Sequence, residues 1–74
     1  MPRGYPASRS LNLQATTAEA KRVLAETKDW HKTREHLEYW IRGKWGLSRM
    51  TVNDYITNVE ANLMKDPATR RMLE

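Results

Sequence analysis

The residues with the clearest capacity for specific chemistry lie in one run of polar and basic side chains between Ser48 and Asn58. Arg49 offers a fork of hydrogen-bond donors, Asn53 a carboxamide that donates and accepts, and Met50 a polarisable apolar group. A guanidinium suits the acceptors of guanine, a carboxamide suits adenine, and an apolar group can contact the thymine methyl. The run therefore predicts a surface that recognises nucleic-acid bases.

The residues needed for catalysis or for metal binding are missing or badly spaced. The chain has no Cys, which excludes a disulfide framework, a thiolate ligand and a thiol nucleophile. His31 and His36 are five residues apart, so on a helix they lie on different faces and off metal-ligand spacing. No Ser has a supporting His and acid, and the acidic residues are scattered. The sequence predicts no enzyme, no metal site and no cofactor.

Length and charge narrow the class further. The chain has 74 residues, enough for one small domain, and its net charge is +4, with 13 Lys and Arg against nine Asp and Glu. A basic balance favours polyanion partners, because phosphate contacts release condensed counterions. No apolar stretch approaches the roughly 20 residues of a membrane span, and the start lacks a secretory apolar region. We expect no membrane partner and a cytoplasmic protein, nucleoid-associated in a prokaryote.

Helical periodicity dominates the chain after about residue 16. Four helices are predicted, at about 17–28, 31–44, 49–64 and 67–73. The third has the most regular apolar stripe, which consists of Val52, Tyr55, Ile56, Val59 and Leu63. No segment alternates at period two, so the fold class is all-α, a three-helix domain with a short C-terminal fourth helix.

The first 15 residues have no periodic apolar pattern and predict a flexible basic arm. Arg3 and Arg9 would carry any DNA contact from this arm, along the phosphates or in a minor groove. Thr16 followed by Glu19 forms a capping-box pattern that predicts the start of the first helix and of the domain at 16–74.

Local signals also mark the ends of the second and third helices. Asp29 and Thr33 are alternative N-caps for the second helix. Gly46 is a natural left-handed C-cap, although Gly43 offers an end one turn earlier. Ser48 offers an N-cap for the third helix. The sequence does not decide between Asp29 and Thr33 as the N-cap of the second helix, or between Gly46 and Gly43 as its C-terminal end.

The run Gly46–Ile56 reads glycine, aliphatic, serine, polar residues, Thr-Val and a later aliphatic, and it resembles the helix-turn-helix DNA-binding motif. The resemblance implies a tri-helical domain in which Leu47 fills the angle between two helices and the third helix enters the major groove. The chain departs from the usual pattern at Arg42, four positions before the turn glycine, where a small residue is typical. Gly43, one position later, offers a substitute.

The motif and the helical geometry together predict two sets of DNA contacts. The base-contacting set is Arg49, Met50, Asn53, Asp54 and Thr57. The phosphate-contacting set is Lys32, Arg34, Arg42, Lys44, Ser48, Thr51 and Asn58. Asp54 would repel phosphate unless it accepts from a cytosine amino group or pairs with a nearby Arg.

Double-stranded DNA is the expected partner, in a regulator of transcription or replication. The apolar positions Val59, Leu63, Met64, Met72 and Leu73 predict a surface for homo-oligomers. One alternative is the DNA recognition domain of a phage terminase small subunit, which is similar. Another is a helical protein-interaction module whose apolar stripe is only core and whose polar face is solvated.

Overall fold

A computed structural model describes residues 5–73, with side chains described from Arg9 onward. The chain forms four helices, α1 (Tyr5–Thr27), α2 (Trp30–Trp45), α3 (Arg49–Met64) and α4 (Pro67–Leu73). Within residues 5–73 there is no strand, and the predicted all-α class is confirmed. The bounds of α3 and α4 agree with the predicted helices, and those of α2 differ by one residue at each end.

The core lies where α1, α2 and α3 meet. Its buried members are Ala20, Leu24, Leu37, Ile41, Val52, Tyr55, Ile56, Val59 and Leu63. All five residues of the predicted α3 stripe belong to it, so the periodicity identified the inward face of that helix. Leu47 is half-buried and packs against the core from the turn between α2 and α3, as predicted.

The ends of α2 resolve the alternatives that local signals left open. Asp29 is the N-cap, because its side chain accepts from the backbone N–H groups of His31 at 2.9 Å and Lys32 at 3.3 Å. Thr33 lies inside the helix and is buried. Gly46 is the C-cap, with a φ of 63°, and its N–H donates to the carbonyl of Arg42 at 2.8 Å. The αL conformation suits a residue without a Cβ.

Alanine substitutions at the two glycines of this region should have opposite effects. Gly46→Ala places a Cβ at a positive φ, and we expect a loss of about 1–2 kcal/mol in the free energy of unfolding. Position 43 is helical and exposed, with open space where a Cβ would lie, so Gly43→Ala should add about 0.5–1 kcal/mol. Urea unfolding followed by circular dichroism measures both changes. Equal changes at the two positions would contradict the assigned C-cap.

The largest departure from the sequence prediction is the length of α1. The helix begins at Tyr5, so the flexible arm predicted over 1–15 is wrong for residues 5–15. Tertiary contacts explain this: the Asn12 amide donates to the hydroxyl of Tyr55 at 3.3 Å, and Leu13 packs against the core. Such contacts stabilise a helix that its own sequence pattern does not predict. Arg3 lies outside the described residues.

Thr16 and Glu19 do not form the predicted capping box, because both lie in the middle of α1. The hydroxyl of Thr16 is buried and donates to the carbonyl of Asn12 at 2.7 Å. The carboxylate of Glu19 instead contacts Arg22 and, across the helix interface, lies 2.7 Å from Nε2 of His36. Glu19 therefore links α1 to α2.

These contacts make the stability of the protein sensitive to acid. The hydrogen bond from Arg22 lowers the pKa of Glu19 below its usual 4.5, with a further contribution from His36 and an opposing one from burial. A carboxyl with a lowered folded-state pKa stabilises the fold above its unfolded-state pKa, and this contribution is lost as the pH falls through the folded-state value. We expect the difference in unfolding free energy between the parent and Glu19→Gln to shrink as the pH falls below 4.5. Chemical denaturation at a series of pH values tests this, and a constant difference would contradict it.

The residues of the predicted oligomer surface are divided between the interior and the exterior of the chain. Val59 and Leu63 are buried in the core of the single chain, and that part of the prediction is wrong. Leu73 is half-buried and packs against the core, whereas Met64 and Met72 remain exposed. The short helix α4 contacts α3, and its Leu73 is the member of the predicted surface that this packing partly buries.

Candidate nucleic-acid interface

A groove of about 370 Å³ lies between α2 and α3 and collects several of the predicted DNA-contacting residues. We call it the α2–α3 groove; it is lined by Arg34, Glu38, Tyr39, Arg42, Arg49, Val52 and Asn53. The α2 residues come from successive turns of one face, and the α3 residues from its first turns. Predicted phosphate-contacting and base-contacting residues therefore share one surface feature.

The outer face of α3 is exposed because its opposite face forms the core. Arg49, Met50, Asn53 and Thr57 are all exposed, and Met50 is 82% exposed. The helix begins at an N-cap in which Oγ of Ser48 accepts from the N–H of Thr51 at 3.3 Å. The first two turns of α3 therefore present a cation, an apolar group and a carboxamide to a partner.

The groove has an excess of positive charge. Arg34 lies 3.9 Å from Glu38, the only carboxylate among the lining residues. Arg42 and Arg49 form no ion pair with any of the side chains described between residues 9 and 73. The groove therefore contains three guanidinium groups and one carboxylate. The guanidinium groups of Arg42 and Arg49 are available to an anionic ligand.

Of the seven predicted phosphate contacts, only Arg34 and Arg42 line the groove, and five do not: Lys32, Lys44, Ser48, Thr51 and Asn58. Lys32 is exposed but does not line the groove. It precedes Arg34 by two positions, and side chains two positions apart on a helix point in different directions. Lys44 extends over two aromatic rings, with Nζ 5.5 Å from the Trp40 ring and 5.8 Å from the Trp45 ring. The two rings pack edge to face at 5.4 Å, and both side chains are partly buried against the core.

Three of the predicted contact residues on α3 already have partners within the chain. The Asp54 carboxylate accepts from the guanidinium of Arg9. The Asn58 amide donates to the carbonyl of Asp54 at 2.8 Å. The Thr51 hydroxyl lies 3.0 Å from that of Ser48. The sequence allows two partners for Asp54, a cytosine amino group or a nearby Arg. The structure contains the second, which is Arg9.

Sequence reasoning missed Tyr39 and the position of Glu38. Tyr39 is 75% exposed and lines the groove, where its hydroxyl could donate to a phosphate. The available signal was the position of Tyr39 three residues before Arg42, because this spacing places both side chains on the same polar face of α2. Glu38 also lines the groove, where its carboxylate lies near the guanidinium of Arg34 one turn earlier on α2.

A larger groove, of about 620 Å³, lies between α1 and the end of α3. Its cations are Arg9 and Lys21, and its wall includes Asp66. Because Arg9 is paired with Asp54, this groove offers a polyanion less positive charge than the smaller α2–α3 groove. Charge, rather than volume, identifies the α2–α3 groove as the candidate interface.

Other site types find no support among residues 5–73. No group of three or more His, Asp or Glu side chains lies close enough to hold a metal ion. His31 and His36 each face one glutamate, Glu35 and Glu19 respectively. None of the described helices has the length and apolar character needed to cross a membrane.

In comparisons with known proteins, no family model, no curated protein and no solved structure matches this chain.

Proposed function

We propose that the chain binds double-stranded DNA, with the N-terminal half of α3 in the major groove and α2 beside the phosphate backbone. One observation carries the proposal: Arg34, Arg42 and Arg49 line the same groove, next to the start of α3. Guanidinium groups that converge in this way suit a ligand with a row of phosphates.

The exposed face of α3 supports the proposal. A major groove about 12 Å wide admits one α-helix, whose first turns contact base edges. Arg49, Met50 and Asn53 occupy those turns and are exposed. Arg49 suits guanine, Asn53 suits adenine and Met50 suits the thymine methyl.

The position of each residue in the groove determines whether we assign it to a phosphate contact or to a base contact. Arg34 and Arg42 lie on α2, which would cross the backbone, so we assign them to phosphate contacts together with Tyr39. Thr57, two turns into α3, is exposed and can extend the base contacts. Lys32, Lys44 and Asp54 are left out of the assignment.

Salt-dependent binding tests the proposal. Fluorescence anisotropy of a labelled 20-base-pair duplex, titrated with the full chain at 50 to 200 mM salt, gives the dissociation constant at each salt concentration. The two cationic phosphate contacts, Arg34 and Arg42, imply a log–log slope of about −1.8, and Arg42→Ala should make it shallower by about 0.9. No binding at 50 mM salt, or a flat salt response, would contradict the proposal. In that case exposed Met50 and Tyr39 would point to a protein partner.

Removing the groove carboxylate should strengthen DNA binding. Glu38→Gln eliminates the acidic group that faces the phosphates and releases Arg34 from its partner. A unit charge about 4 Å away in water is worth about 1 kcal/mol, so we expect a threefold to fivefold gain in affinity at low salt. Glu26→Gln is the matched control, since it breaks a similar pair with Arg22 on α1, outside the groove. An equal gain in both variants would show that net charge alone is responsible.

A further inference from the structure

The pairing of Asp54 suggests a role for the first half of α1. Asp54 lies on the exposed side of α3, next to Asn53, and its side chain is 51% exposed. One carboxylate oxygen accepts from the guanidinium of Arg9, and the other lies 3.4 Å from the amide of Asn58. Both oxygens of the only carboxylate in the first two turns of α3 therefore have partners within the chain.

Arg9 is held in place by more than its charge partner. Its guanidinium lies over the ring of Tyr55, 5.8 Å from the ring centre. Tyr55 is buried in the core, and its hydroxyl accepts from Asn12 on the same helix as Arg9. Two residues of α1 thus contact α3 at adjacent positions, Asp54 and Tyr55, and they fix α1 against α3.

We propose that Arg9 is a positioning residue for the DNA-binding surface: it neutralises Asp54 and holds it aside, and it does not itself contact DNA. This inference rests on the proposed function. A carboxylate without a partner, close to a phosphate, would repel it by about 1 kcal/mol at 4 Å in water, which corresponds to a factor of about five in affinity. The long α1 is then the means by which an acidic residue is tolerated on the outer face of α3.

Three variants separate this role from a direct phosphate contact: Arg9→Ala, Asp54→Asn, and the two combined. Each is titrated into the same 20-base-pair duplex at several salt concentrations. We expect Arg9→Ala to weaken binding about fivefold at low salt. Asp54→Asn should not weaken binding. The double variant has the parent net charge, and it should match the parent affinity within twofold, with an unchanged salt slope.

Each contrary result identifies a different error. A double variant whose salt slope is shallower than the parent's by about 0.9 would show that Arg9 contacts a phosphate, and it would overturn the proposal. Weaker binding by Asp54→Asn would show that Asp54 contacts the DNA, with the same consequence. An Arg9→Ala variant that binds like the parent would also overturn it. Failure of the parent chain to bind any duplex refutes the proposed function instead.

A folding defect is excluded by two further measurements. The pair is about half exposed, so its loss should change the free energy of unfolding little, and circular dichroism should show the same helix content in every variant. Arg9→Lys keeps the positive charge, and it should bind within twofold of the parent. Weak binding by Arg9→Lys with intact helices would contradict neutralisation as the role of Arg9.

Discussion

Arg49→Ala should weaken duplex binding by about 1–3 kcal/mol and relax the preference for one base pair of the preferred site. Arg49 is the residue at which the groove and the outer face of α3 meet, because it lines the groove and stands in the first turn of the helix. It has no ion-pair partner among the side chains described at residues 9–73, so its guanidinium is available to a ligand. A bidentate contact with guanine explains a loss of this size.

The measurement is a competition between duplexes that differ by single base pairs, preceded by selection of the preferred site from a random pool. Arg70→Ala is the charge-matched control, since Arg70 lies on α4 and does not line the groove. The expected pattern is a loss in affinity and in selectivity at one position for Arg49→Ala, and neither for Arg70→Ala. A uniform loss across all duplexes would instead assign Arg49 to the phosphate backbone.

Leu37→Ala should reduce the free energy of unfolding by about 2–5 kcal/mol. Leu37 has 0% exposure and belongs to the core cluster formed by α1, α2 and α3. Truncation removes apolar contacts and leaves a cavity that packed helices fill only partly. A small domain of this length has a total stability on the order of 4–11 kcal/mol, so the variant should lose a large share of it.

Urea unfolding at neutral pH measures the effect, which should appear as a lower midpoint at an unchanged slope. Leu11→Ala provides the same substitution on α1 at a side chain that is 64% exposed, and it should change stability by less than about 0.5 kcal/mol. Similar effects at the two positions would contradict the assignment of the core. The loss at Leu37 should also weaken DNA binding, because the groove depends on the packing of α2 against α3.

Features set by short-range interactions could be predicted from the sequence. The bounds of α3 follow from the hydroxyl of Ser48 and from the spacing of five apolar residues, and the end of α2 follows from Gly46. An N-cap, a C-cap and an amphipathic stripe each depend on residues within a few positions of one another. The same periodicity placed Arg49, Met50 and Asn53 on the exposed face of α3, because burial of one face leaves the opposite one outside.

Only the tertiary structure decided what distant residues do together. The first half of α1 has no apolar period of its own, and its contacts are with residues more than 40 positions away, namely Asp54 and Tyr55. Likewise, the sequence contains Lys32, Arg34, Arg42 and Lys44 as equivalent cations. In the structure Arg34 and Arg42 line the groove, whereas Lys32 and Lys44 do not. This difference depends on how α2 is rotated against α3, which local spacing does not determine. The sequence by itself thus determined the helices and their inward faces, whereas packing between helices decided which charges meet, because ion pairs and grooves form across the interfaces between them.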